Sequence, residues 1–163
     1  MSENVVTRFQ QSLYGFKPHA IQRAIDLGYK KIIWLDPSVL PITDMKYLID
    51  ELDTNPLLIV EGDAKIVDMC NQKALNWFGF NTEDLKDVKH LGGTIYCFNF
   101  NDEKTMEVFN LWKKAEEEGI YGTQDEFMLG HWADETCMAL AIHKVGVKRN
   151  GIKEFKYINQ KTI

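Results

Sequence analysis

The sequence predicts a single α/β domain, and three observations carry that prediction. At 163 residues the chain has the size of one domain, able to bury roughly two thirds of its unfolded surface. Helical and strand patterns alternate along it without internal repeat, low-complexity segment or linker. A β-prone run, Lys30 to Leu35, ends abruptly in Asp36 and Pro37, with Pro41 close behind. This places a carboxylate at the carboxyl end of a strand, where ligands bind in open α/β sheets.

The elements follow in order. Pro18 suits the first turn of a helix whose apolar face is Ala20, Ile21, Ala24, Ile25 and Leu27, with Gly28 as its stop. Ile32 to Leu35 forms the first strand. Thr43 can cap a helix bearing Met45, Leu48, Ile49 and Leu52, and Leu57 to Val60 reads as a second buried strand. Asn71 caps a short helix through Ala74, Leu75 and Phe78, and Asn81-Thr82-Glu83-Asp84 has the pattern of another helix start. Gly92 and Gly93 precede a third strand, Thr94 to Phe100. Asp102 to Gly119 is the clearest helix, with Met106, Phe109 and Trp112 near helical spacing and a glycine terminator. A last helix spans Asp134 to Lys144, and Phe155 to Ile158 adds an edge strand.

Composition narrows the class. The chain is 45% hydrophobic, 12% aromatic and 26% charged, which belongs to globular and not disordered sequences. No apolar run approaches the roughly 20 residues of a membrane span, and the first residues carry no signal-like apolar region, so a cytoplasmic location is expected. Cys70, Cys97 and Cys137 are odd in number and outside any CxxC pattern, which argues for buried free thiols and against a disulfide framework or zinc site. The net charge of −5 hides a basic end: Lys144, Lys148, Arg149, Lys153, Lys156 and Lys161 face Glu154 alone. That segment lacks the interleaved aromatics of a nucleic-acid platform, and the acidic balance of the rest disfavours DNA or RNA as a partner.

Taken together, the Lys17-Pro18-His19 helix, the strand IIWLDPSVLP, the strand HLGGTIYCFNF, the helix NDEKTMEVFNLWKKAEEEG and the closing HWADETCMALAIHKVG resemble the GT-A class of glycosyltransferases. More narrowly, the chain is similar to nucleotide-diphospho-sugar transferase-like proteins of that class. The resemblance covers 16–147, leaving 1–15 as an N-terminal extension and 148–163 as a basic C-terminal segment of a single domain, 1–163. It implies a mixed sheet like the distal part of a GT-A fold. It further implies transfer of a sugar from a nucleotide-sugar donor to a sugar or protein acceptor. With so few residues ahead of Lys17, a chain lacking the N-terminal nucleotide-binding part is expected, acting with a complementary chain or as a homo-oligomer.

The resemblance also implies site residues. Asp36 matches the first acid of the Asp-x-Asp element that holds Mn²⁺ or Mg²⁺ against the donor diphosphate; Ser38, a neutral and poorer ligand, stands at the second. Asp134 and Glu135 match the acidic pair opening a late helix. There an acid is the general base of an inverting enzyme or positions the donor in a retaining one, although carboxylates at a helix start are also ordinary dipole partners. Lys17, Gly92, Gly93, Asp125, His131 and Trp132 complete the expected substrate-binding set. The glycine pair either lets backbone approach a sugar or marks a turn or bulge. Asp125 lies in a loop-like stretch, His131 either joins a proton-transfer cluster or is simply packed, and Trp132 is the tryptophan placed to stack on a sugar. Two other readings stand beside the transferase. One is a non-catalytic GT-A-derived remnant that binds sugar or a partner. The other is a phosphohydrolase using Asp36 as nucleophile, although the second acid that chemistry requires is again Ser38.

Overall fold

The computed structural model describes residues 13–42, 44–152 and 157–159, and its centre is a strand with two partners. Helix α1 (Phe16–Asp26) leads into β1 (Lys31–Leu35), β2 (Val39–Pro41), α2 (Lys46–Glu51) and β3 (Leu57–Lys65). A 3₁₀ turn (Ile66–Met69), α3 (Gln72–Phe78), a second 3₁₀ turn (Glu83–Leu85) and β4 (Lys89–Asn99) follow. Then come α4 (Glu103–Glu117), α5 (Gln124–Met128), α6 (Ala133–Val145), β5 (Asn150–Gly151) and β6 (Tyr157–Asn159). The result is one α/β domain with a four-stranded mixed sheet ordered β1-β4-β3-β5, in which β4 is antiparallel to both β1 and β3 while β5 runs parallel to β3. Strands β2 and β6 form a separate antiparallel pair.

Side chains alternate across a strand, and this chain uses the alternation to build two cores. Leu57, Ile59, Tyr96 and Phe98 face α4 and α6 with Phe109, Trp112 and Met138. Leu58, Ile95 and Cys97 face the other way onto Val39, Leu48 and Leu52. Helix α6 is buried on nearly all sides from Ala133 to Ile142, so its N-terminus opens from the middle of the domain.

Several expected elements shift. The glycine pair lies inside β4 and not ahead of it, because the strand starts at Lys89. Ile59 faces Tyr96 but Val60 faces Gly92, so 93–95 bulge out of the pairing with β3 while Ile95 still pairs with Leu35 of β1. The start expected at 81–84 yields only a 3₁₀ turn, since Asn81 and Asp84 satisfy each other's backbone N–H and close a local turn. The stretch around Asp125 is helix α5, opened by a capping box in which Thr123 and Glu126 exchange hydrogen bonds. Asn71 caps α3 through Ala74 N–H, as its position before the apolar run suggested. Thr43 lies outside the described residues, as do Phe155 and Lys156 of the expected edge strand, of which Tyr157 and Ile158 pair with β2. All three cysteines are free, with Cys97 and Cys137 buried. Among the described residues no helix is long and apolar enough to cross a membrane.

Candidate functional site

Four elements deliver polar side chains to one point. Trp34 and Asp36 fall on the same face of the β1 strand line, so the indole N–H reaches the carboxylate and donates to Asp36 Oδ1 at 2.7 Å. The bulge in β4 presents the Gly93 backbone edge-on. Helix α6 projects Asp134 and Glu135 from its first turn, and α1 sends Lys17 across from its own. The Trp112 indole donates to the Asp134 backbone carbonyl at 2.9 Å, pinning that turn. Ala133, at the start of α6, has φ 26°, a conformation non-glycine residues rarely adopt.

Lys17 is the hub. Its ammonium lies 2.9 Å from Asp134 Oδ2, 3.1 Å from Asp36 Oδ1 and 2.9 Å from the Gly93 carbonyl. Three N–H groups thus meet three acceptors on a residue only 1% exposed. The rings of Tyr14 and Tyr96 lie under the same charge at 4.9 and 5.7 Å. Burial pulls the ammonium's pKa down, but Asp134 and Asp36 outweigh it and hold it above the usual lysine value.

The acids are not equivalent. Asp134 is raised by its complete burial, against the pull of Lys17, and receives a long 3.4 Å hydrogen bond from the Tyr96 hydroxyl. Glu135 is pushed up to about 7 by burial first and by Asp134 second. Its Oε1 accepts from Gly93 N–H at 2.8 Å, while Oε2 is buried without a hydrogen-bond partner, 3.9 Å from His90 Nδ1. The contact with Gly93 needs glycine: a Cβ there would stand 2.4 Å from Glu135 Cγ. His90, lowered to about 4 by burial and by Arg149, is neutral near pH 7 and lies 3.2 Å from the Thr136 hydroxyl, which donates to Met69 O at 2.6 Å.

Above these groups a cleft of about 120 Å³ is walled by Tyr14, Phe127 and Trp132, with Lys17, Asp36, Asp134 and Glu135 also lining it. Trp132 is 41% exposed, and its ring lies 6.2 Å from that of Phe127. The structure therefore brings Lys17, Asp36, Gly93, Trp132, Asp134 and Glu135 together. It does not bring the other expected residues with them. Ser38 sits in the turn after Asp36 and is not part of the cleft lining. Gly92 is turned to Val60 of β3. Asp125 is exposed on α5. His131 is buried: Nδ1 accepts from Asn71 N–H at 3.3 Å and Nε2 lies 3.0 Å from Ile120 O, beside a separate cavity lined also by Cys70 and Glu126. Trp34, Tyr96 and His90 belong to the site but were not expected. A histidine among the apolar residues of the strand HLGGTIYCF is the one signal that could have drawn attention to His90.

A resident divalent metal does not fit this donor set. Lys17 occupies the space between Asp36 and Asp134, the Trp34 indole shares Asp36 Oδ1, and the second position of the acidic motif, Ser38, is a neutral hydroxyl outside the cleft lining. Among the described residues no group of three or more His, Cys, Asp or Glu side chains is arranged to hold a metal ion. No protein-family model matches the chain, and no curated protein matches it significantly.

Proposed function

We propose that the chain is a glycosyltransferase-like protein whose cleft receives a sugar, with Glu135 as the base for its reacting hydroxyl. One observation carries the reading. Lys17, Asp36, Trp132, Asp134 and Glu135, which are distant in sequence and singled out by resemblance to GT-A transferases, line the same cleft. The chemistry is consistent with that use. An exposed indole face suits the C–H surface of a pyranose, and fixed carboxylates suit its hydroxyls. Glu135, titrating near neutrality, takes the hydroxyl proton as the sugar oxygen forms its bond to the donor's anomeric carbon. The anomeric bond to the nucleoside diphosphate breaks, and the leaving group departs with the electron pair. Lys17 holds Asp36 and Asp134 in place, and the Gly93 N–H holds Glu135.

Calorimetry with UDP-, GDP- and TDP-sugars, with and without Mn²⁺, together with transfer to a panel of monosaccharides, tests the reading. Donor or sugar binding should be lost in Trp132→Ala. Glu135→Gln should bind with unchanged affinity while turnover falls about 100-fold or more. Absence of heat and of transfer with every donor and sugar would overturn it. A second reading, a sugar-binding module without transfer, is favoured by the saturation of Lys17, whose three N–H groups are already taken and leave none for a diphosphate. Sugar binding without any response to nucleotide-sugars selects it.

A further inference from the structure

One carboxylate oxygen at the site lacks a partner, and the group beside it is a histidine whose tautomer is fixed by its own contacts. Glu135 Oε2 is buried without a hydrogen bond, 3.9 Å from His90 Nδ1, while Oε1 accepts from Gly93 N–H at 2.8 Å. We infer that His90 is a positioning residue for Glu135: held as the Nε2–H tautomer, it turns the Nδ1 lone pair to Oε2 and accepts a hydrogen bond from the proton that Glu135 carries in its acid form. The importance of this to the reaction rests on the reading of Glu135 as a base; the hydrogen bonds themselves do not.

The tautomer follows from a chain of groups on three elements. Met69 closes the first 3₁₀ turn, Thr136 lies on α6 next to Glu135, and His90 lies on β4. Thr136 Oγ1 is 2.6 Å from Met69 O, and because a carbonyl cannot donate, the hydroxyl hydrogen points to Met69 O. His90 Nε2 is 3.2 Å from the same Thr136 oxygen, which has only lone pairs left to offer. The ring hydrogen is therefore on Nε2, and a neutral imidazole then carries a lone pair on Nδ1. The opposite tautomer would set two lone pairs against each other at Nε2. Trp132 secures the arrangement: its backbone N–H also donates to Met69 O, at 3.1 Å, and its ring meets the imidazole edge-on at 5.8 Å.

The 3.9 Å separation fits this assignment. It exceeds a hydrogen bond and is too short to admit a water between the two atoms. An ionised Oε2 and the Nδ1 lone pair are both acceptors and have no hydrogen to share. A proton on Oε2 turns the contact into O–H···N, which closes by about 1 Å to hydrogen-bond length. The acid form thus gains a bond that the ionised form lacks, which suits Glu135 to hold a proton taken from a sugar hydroxyl. The charged groups around Glu135 are Asp134 on α6, Lys17 on α1 and Asp36 after β1. Those around His90 are Arg149 ahead of β5 and His131 ahead of α6, with the Leu91 backbone also against the ring.

¹⁵N NMR of the histidine rings in the full chain tests the inference, with His90→Gln to assign the resonances. From about pH 5.5 to 9, Nε2 should stay protonated and Nδ1 should carry no proton of its own. As pH falls through the Glu135 midpoint near 7, the Nδ1 resonance should shift toward its hydrogen-bonded position. In Glu135→Gln that pH dependence should vanish. Thr136→Val removes the oxygen that holds Nε2–H, so the ring proton should move to Nδ1 and donate to the Glu135 carboxylate. The Glu135 midpoint, read by ¹³C NMR, should then fall by about one unit or more, whereas Thr136→Ser should keep the wild-type value. A proton on Nδ1 in the wild type, an Nδ1 resonance blind to the Glu135 titration, or a folded Thr136→Val with an unmoved midpoint would overturn the inference. If Thr136→Val does not fold, the wild-type and Glu135→Gln spectra decide. Failure of the donor and sugar titrations would remove the reaction and leave these spectra unchanged.

Discussion

At Glu135 the neighbours, and not the residue type, set the chemistry. The same glutamate on an exposed helix start would favour the charged form, because the helix dipole stabilises it there. Here burial and the adjacent Asp134 push it up to about 7. Replacing Asp134 by Asn removes a like charge, so the Glu135 midpoint, followed by ¹³C NMR of the side-chain carboxyl, should fall by up to roughly one unit. A midpoint that stays fixed or rises would show that Asp134 does not act on it. The pair Asp134-Glu135 was legible in the sequence as an acidic helix opening, and Asp36 as a strand-end carboxylate. Their partner Lys17 was legible only through the resemblance. Trp34, Tyr96 and His90 were not, because their roles depend on which strand faces lie together, and a period-2 pattern gives faces without neighbours.

At the scale of elements, the bulge in β4 is the feature on which the site turns. Strand 89–99 was expected to begin after the glycines, since a Gly-Gly pair reads locally as a breaker. The pairing with β1 on one side and β3 on the other carries it through them, and the bulge is what exposes both the N–H and the carbonyl of Gly93. The two glycines therefore differ. Gly93→Ala should cost about 1–3 kcal/mol in urea unfolding, because its Cβ would fall 2.4 Å from Glu135 Cγ, and should also displace that side chain. Gly92→Ala, whose Cβ meets Val60 at an ordinary 3.6 Å, should stay within about 0.5 kcal/mol of wild type. Equal costs would show that the contact with Glu135 does not matter. Helix α5 illustrates a different kind of miss: Thr123-Gln124-Asp125-Glu126 already spells a capping box, but the helix it opens is too short to display a 3.6-residue period.

For the molecule as a whole, the partly buried Glu135 and the buried His90 set opposing pH responses. Glu135 titrates near 7 when folded against 4.5 normally, so between these values the folded protein holds a proton that the unfolded chain has lost. Its contribution to stability falls as pH rises through that window. His90 titrates near 4 when folded against 6.5 normally, so the unfolded chain holds the extra proton between those values and stability rises with pH. Each slope reaches at most about 1.4 kcal/mol per pH unit, with opposite signs, and the two offset each other where the windows overlap. Urea denaturation across pH 4.5 to 6.5 should therefore show stability climbing more steeply with pH in Glu135→Gln than in wild type. In His90→Gln it should fall relative to wild type. Parallel profiles for all three would refute both assignments. The lysine at the hub has a kinetic meaning as well. It joins the first described helix to α6, so its contacts close a loop of most of the chain and are expected to form after the more local pairing of the intervening sheet. The cleft is consequently a late-closing seam of the folding reaction, and a ligand that bridges its two sides would act first on how slowly the domain comes apart.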